Sequence, residues 1–137
     1  MQKFYLDTSI WIDLINDRIG FNEEPLGKYA WELLSKIKSN EDKIVISDLV
    51  IAEFKTYLKE EEIFWILNLF KKNIEKIKST EKQKFEAKVL SHKLNLPFGD
   101  VLHSIIARDN KLILITRDNH FKKLTTISKF YKPEDLI

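Results

Sequence analysis

A three-layer α/β/α sandwich around a central, mainly parallel sheet is the fold class this sequence predicts, and two observations predict it. Short β-branched runs alternate with longer stretches whose apolar residues recur at helical spacing. Such alternation implies parallel pairing through right-handed crossovers. Only three glycines and three prolines occur in 137 residues, which leaves little chain for flexible linkers and points to one domain, 1–137.

The elements follow in order. Lys3 to Asp7 is an aromatic and aliphatic strand that ends on a carboxylate, and Thr8 or Ser9 then caps a helix to about Asn16. After a turn region, Leu26, Tyr29, Ala30, Leu33, Leu34 and Ile37 mark a second helix. Lys43 to Ser47 is strand-like, and Ser47-Asp48 starts a helix to about Tyr57 that carries Glu53 in its second turn. Glu60 to Lys72 has a broad apolar helical face. Ile74 to Ile77 is a short strand, because Ser79-Thr80 and the acidic turn beyond it begin a new helix, Glu81 to Leu94. Pro97 and Gly99 interrupt before a helix from Asp100 to near Asp109. A buried strand, Leu112 to Ile115, precedes a turn and short helix from Thr116 to Leu124, with a last strand at Thr126 to Lys129.

Composition excludes several classes. Hydrophobic residues are 44% and charged residues 32%, the balance of a globular protein. With no cysteine, neither a disulfide framework nor a thiolate zinc site can be built, and a reducing cytoplasm is the expected location. No apolar run is long enough to span a bilayer, so no membrane association is expected. The net charge of +2 conceals an asymmetry: residues 1–70 carry eight basic and thirteen acidic side chains, and residues 71–137 carry fifteen and eight. An acidic pocket rimmed by phosphate-binding lysines would account for it, as would Lys-rich helix faces exposed to solvent.

Four acids fall at element junctions. Asp7 closes the first strand, Asp118 lies just past the strand ending at Ile115, and Glu53 and Asp100 lie near helix beginnings. In a parallel sheet all these positions belong to the carboxyl edge, where sites form. Each acid has a simpler reading as a cap or turn residue. Glu53 resists it, because Leu49, Val50, Ile51, Ala52 and Phe54 surround it, and a buried carboxylate needs a partner. Four clustered carboxylates repel unless a cation intervenes, and an all-oxygen set favours Mg²⁺ or Mn²⁺. Such a centre suits phosphodiester hydrolysis, in which the metal activates water and neutralises the leaving oxygen. Aspartyl-phosphate chemistry of the haloacid-dehalogenase type would need an aspartate two residues after Asp7, where Ser9 stands.

The segments Leu-Asp-Thr-Ser-Ile-Trp (6–11), Ser-Asp-Leu-Val-Ile-Ala-Glu-Phe (47–54), Gly-Asp-Val-Leu-His (99–103) and Thr-Arg-Asp-Asn-His-Phe (116–121) resemble those of PIN-domain nucleases, including VapC-like toxins of toxin–antitoxin pairs. The resemblance implies a metal-dependent endoribonuclease using Mg²⁺ or Mn²⁺ on RNA, often homodimeric and held by an antitoxin protein. A housekeeping RNA-processing nuclease and a catalytically silent RNA- or protein-binding module are the alternatives. Position by position, Asp7, Glu53 and Asp100 match the family's most characteristic acids, Asp118 the fourth, and Thr8 and Thr116 supporting hydroxyls. At His120 many members carry another acid, which leaves a fully acidic second metal site in doubt. His103 shares a helix face with Asp100 and is a candidate for phosphate contact or the metal periphery. Arg117, Lys122 and Lys123 are candidates for binding RNA phosphates. Aromatic residues near Trp31 and from Phe64 to Phe70 suggest a dimer or antitoxin surface.

Overall fold

The computed structural model describes residues 1–137. Its five strands are β1 (Lys3–Leu6), β2 (Lys43–Ser47), β3 (Ile74–Ile77), β4 (Ile113–Ile115) and β5 (Phe130–Tyr131). They form one sheet in the order β3-β2-β1-β4-β5, and every pair is parallel. Six helices fill the crossovers: α1 (Thr8–Asn16), α2 (Leu26–Ser39), α3 (Asp48–Tyr57), α4 (Glu60–Leu69), α5 (Glu81–Leu94) and α6 (Phe98–Asp109). The expected sandwich is therefore present, with a wholly parallel sheet.

Strand β1 occupies the centre because both faces of it are buried. Phe4 lies beside Leu33 and Ile37 of α2, whereas the next residue, Tyr5, hydrogen-bonds to His103 of α6. Successive side chains of a strand point to opposite faces, so β1 ties both helical layers to the sheet. On one face Trp11 of α1 meets Phe54 of α3 and Phe70 edge-on, with centroids 5.8 and 6.2 Å apart. On the other, α6 packs against α5 and is buried at every residue from Val101 to Ala107. A stretch buried on every side, His103 and Ser104 included, is covered by both the sheet and α5.

The strand order also fixes where a site can form. From β1 the chain adds β2 and β3 on one side, then returns to add β4 and β5 on the other. Connections above β1 and β4 therefore diverge, leaving a cleft at their carboxyl ends.

Besides one-residue shifts at the end of β1 and the start of β4, four boundaries differ from the expectations. Asp7, rather than Thr8 or Ser9, is the N-cap of α1, because its carboxylate accepts the Ser9 backbone N–H at 2.8 Å. Helix α4 stops at Leu69 rather than Lys72, since Phe70 turns into the core and the chain must descend to start β3. Helix α6 begins at Phe98, behind Pro97, which puts Asp100 inside the first turn and removes its reading as a cap. The last strand is Phe130–Tyr131 rather than Thr126 to Lys129: Ile127 and Ser128 both donate backbone N–H groups to the Leu124 carbonyl, prolonging the turn.

Candidate active site

Asp7 leaves the end of β1 and is almost wholly buried. One carboxylate oxygen accepts from the Ser9 backbone N–H and hydroxyl, and the other accepts from the Thr116 hydroxyl. Thr116 follows β4, the neighbour of β1, and its Oγ1 also accepts the Asp118 backbone N–H at 3.1 Å. One threonine thus links the acid at the end of β1 to the loop carrying the acid after β4. Capping and site geometry coexist in Asp7, because the oxygen bonded by Ser9 is fixed by the start of α1.

Glu53 reaches the same edge from the second turn of α3. Its Oε1 accepts from Thr8 Oγ1 at 2.9 Å and lies 2.7 Å from His103 Nε2. Burial pushes its carboxyl up, but the hydrogen bonds from His103 and Thr8 outweigh that and hold it below the usual carboxylate range. Asp100 behaves oppositely. Burial and the nearby negative charge of Asp118 raise its carboxyl above the ordinary value, despite the hydrogen bond from His120.

His120 draws Asp100 and Asp118 together. Its Nδ1 lies 2.8 Å from Asp100 Oδ2 and 3.1 Å from Asp118 Oδ1, and its backbone N–H is capped by Asp118 at 2.8 Å. Bonding to Asp100 first, then the charges of both acids, raise the His120 pKa. One ligand atom from each of Asp100, Asp118 and His120 fits within 4.8 Å of the others. Asp7, Glu53, Asp100 and Asp118 line one open cleft of about 240 Å³, together with Thr8, Ser9, Ile12, Tyr57 and His103. That trio is two acids and a histidine, while Asp7 and Glu53 line the same cleft as the two acids.

Other candidates take different places. Thr8 and Thr116 donate to Glu53 and Asp7, the supporting geometry the resemblance implies. His103 is 2% exposed in its side chain, and both ring nitrogens are engaged by Tyr5 and Glu53, leaving none for a phosphate. Arg117 is a correction to the RNA-binding set. Its guanidinium grips Glu134 through two bonds of 2.8 and 2.6 Å, approaches Asp13 at 3.6 Å, and lies 5.8 Å from the centre of the Tyr29 ring. At 16% exposure, with both terminal nitrogens bonded to Glu134, its guanidinium does not line the cleft. Lys122 and Lys123 are exposed.

Tyr5, Ser9 and Ser47 escaped the sequence reading as site residues. Tyr5 carried a signal nonetheless: a phenol between Phe4 and Leu6, two residues before an acid, needs a buried partner for its hydroxyl.

The fold and this edge define a class: a parallel α/β domain with an acidic cleft at its topological switch point. The PIN domain family model matches residues 4–126, and the chain belongs to that family. Three solved structures share the fold. VapBC2 from Rickettsia felis bound to a promoter DNA fragment is 21% identical, covering 96% of this chain and 98% of that one, with a TM-score of 0.69. A toxin–antitoxin complex from Klebsiella pneumoniae is 22% identical, covering 95% and 97%, with a TM-score of 0.65. PAE2754 from Pyrobaculum aerophilum is 15% identical, covering 98% and 92%, with a TM-score of 0.59. No curated protein sequence matches the chain.

Proposed function

We propose that this protein is a metal-dependent endoribonuclease that hydrolyses RNA phosphodiester bonds as a VapC-like toxin. The observation that carries the reading is the meeting of Asp7, Glu53, Asp100 and Asp118, from four separate stretches of chain, in one cleft at the carboxyl edge of the sheet.

The residues present fit a divalent cation. Burial and the negative charge of Asp118 raise the cost of ionising Asp100, which a cation relieves, and the donor set of carboxylates with one imidazole suits Mn²⁺ or Mg²⁺. Asp100, Asp118 and His120, with Asp7 and Glu53 beside them in the cleft, are the residues that would hold it. When bound, the cation supplies Lewis-acid activation of water and charge neutralisation at the phosphodiester. The chain's own groups supply positioning: Thr116 and Ser9 orient Asp7, and Thr8 and His103 orient Glu53. Lys122 and Lys123, a short way beyond Asp118, supply charge for RNA phosphates. His120, in place of a further acid, lowers the negative charge of the cleft and supplies a nitrogen ligand.

An antitoxin partner is supported by the two toxin–antitoxin complexes among the similar structures. A homodimer is supported by Phe64 and Trp65 on α4, which are 70% and 49% exposed. A cytoplasmic location is consistent with an RNA substrate and with a chain that carries no cysteine.

The test is cleavage of an RNA oligonucleotide with Mg²⁺ or Mn²⁺. Asp7→Asn and Asp100→Asn each abolish cleavage and retain a cooperative thermal transition; chelation abolishes it in the wild type. Undiminished cleavage by both variants removes the site. For the toxin role, expression arrests growth and the Asp7→Asn variant does not; absence of arrest by an active enzyme favours housekeeping RNA processing.

A further inference from the structure

Beneath the cleft runs a buried chain of hydrogen bonds that begins at the N-cap of α3 and ends within that helix. Ser47, the N-cap of α3, accepts the Val50 backbone N–H at 3.2 Å and lies 2.7 Å from the Tyr5 hydroxyl. That hydroxyl lies 2.7 Å from His103 Nδ1, and His103 Nε2 lies 2.7 Å from Glu53 Oε1. The chain crosses from α3 through β1 and α6 and returns to α3. Ser47, Tyr5 and His103 are all buried.

The direction of these bonds follows from the protons available. Tyr5 has one hydroxyl proton and two neighbours, Ser47 Oγ and His103 Nδ1. If Tyr5 donated to Ser47, the Ser47 proton would have no acceptor, because the other partner of its oxygen is the Val50 N–H, itself a donor. A fully buried hydroxyl proton without an acceptor is disfavoured. Ser47 therefore donates to Tyr5, and Tyr5 donates to His103 Nδ1. The ring then carries its proton on Nε2 and donates it to Glu53 Oε1. Thr8 donates to the same oxygen. Glu53 Oε2 has no hydrogen-bond partner in the protein, and it lies beside Gly99, where a Cβ would stand 3.9 Å away.

We propose that Tyr5 and His103 are positioning residues that lock one oxygen of Glu53 and present the other, Oε2, to the cleft. The inference rests on the nuclease reading for its activity readout, but its proton arrangement stands independently. Neither residue touches RNA or metal; both act through Glu53. Outer partners of this kind typically change metal affinity or activity by about 10- to 100-fold.

The decisive measurement on the full chain is the ¹⁵N NMR signature of His103 at neutral pH, assigned by its loss in His103→Gln. A neutral ring protonated on Nε2 is expected; protonation on Nδ1 or on both nitrogens overturns the proposal. Tyr5→Phe keeps the ring and removes the donor. It is expected to lower kcat for RNA about 10-fold with KM changed less than about 2-fold, and to weaken Mn²⁺ binding by calorimetry about 10-fold. Wild-type kcat and Mn²⁺ affinity in Tyr5→Phe overturn the proposal. If Tyr5→Phe fails to fold, His103→Gln, which retains an N–H donor, is compared with His103→Leu: greater activity and Mn²⁺ affinity in the Gln variant support positioning, and equal losses refute it. If the wild type cleaves no RNA, the nuclease reading fails, while the NMR signature and Mn²⁺ affinity still decide the positioning role.

Discussion

Arg117 stands one residue before Asp118, and its proximity in sequence says nothing of its task. Asp13 is buried, and burial first, countered in part by Arg117 and Arg18, raises its carboxyl above the ordinary range. Removing the guanidinium would leave Asp13 nearly unopposed and Glu134 unpaired. Arg117→Ala is therefore expected to cost about 3 kcal/mol of stability, because breaking a largely buried pair strands the remaining charge. Chemical denaturation measures it. Lys122→Ala with Lys123→Ala is expected to behave oppositely: stability within about 0.5 kcal/mol of wild type, and RNA binding whose salt slope falls by about one per lysine removed. An unchanged salt slope would detach these lysines from RNA. The same contrast applies to the four acids, of which Asp7 and Asp118 are caps as well as cleft residues. A capping role does not compete with a functional one when the capped helix begins at the sheet's carboxyl edge.

At the scale of elements, α5 and α6 are joined by Arg108, which binds Glu86 through two bonds of 2.8 and 2.7 Å and Asp109 through one of 2.9 Å. Glu86 is held below its ordinary value first by the Arg108 hydrogen bonds. Asp109 is held down as well, since bonds from Arg108 and Gln83 outweigh its burial. Carboxyls depressed in the folded state contribute stability that is complete above their ordinary values of 4.5 and 3.8 and is lost as pH falls through the depressed ones. The stability difference between wild type and Arg108→Gln is thus expected to be constant from about pH 6 to 8 and to shrink below about pH 4, read from thermal melts. A difference that grows in acid would mean the carboxyls do not depend on Arg108. The groups are about one-third exposed, so the effect is screened and modest.

For the whole molecule, α4 presents an unequal pair of faces. Ile66 is buried in the core, whereas Phe64, beside the β3 edge of the sheet, and Trp65 face solvent. Large aromatics exposed together mark a contact surface. If that surface joins two copies, Trp65→Lys is expected to shift sedimentation from dimer to monomer while melting cooperatively. A wild-type monomer at all concentrations would reassign the surface to another partner.

What the sequence by itself determined was local. Alternation of β-branched strands with helical spacing predicted the parallel sandwich, and the acids at strand ends and helix beginnings were placed at the correct edge, because each depends on residues within a few positions of one another. Most helix starts were legible through caps such as Thr80 with Gln83. Even there, β5 slipped to Phe130–Tyr131, because an edge strand is chosen by its register with Leu114 and Ile115 rather than by its own composition. Only the tertiary structure decided the rest. Tyr5 finds His103 98 residues away, Thr116 finds Asp7 across 109, and Arg117 turns to Glu134 instead of the cleft. Hydrogen bonds and ion pairs between distant segments depend on which strand lies beside which, and that order, with β1 between β2 and β4, is set by packing of the whole chain.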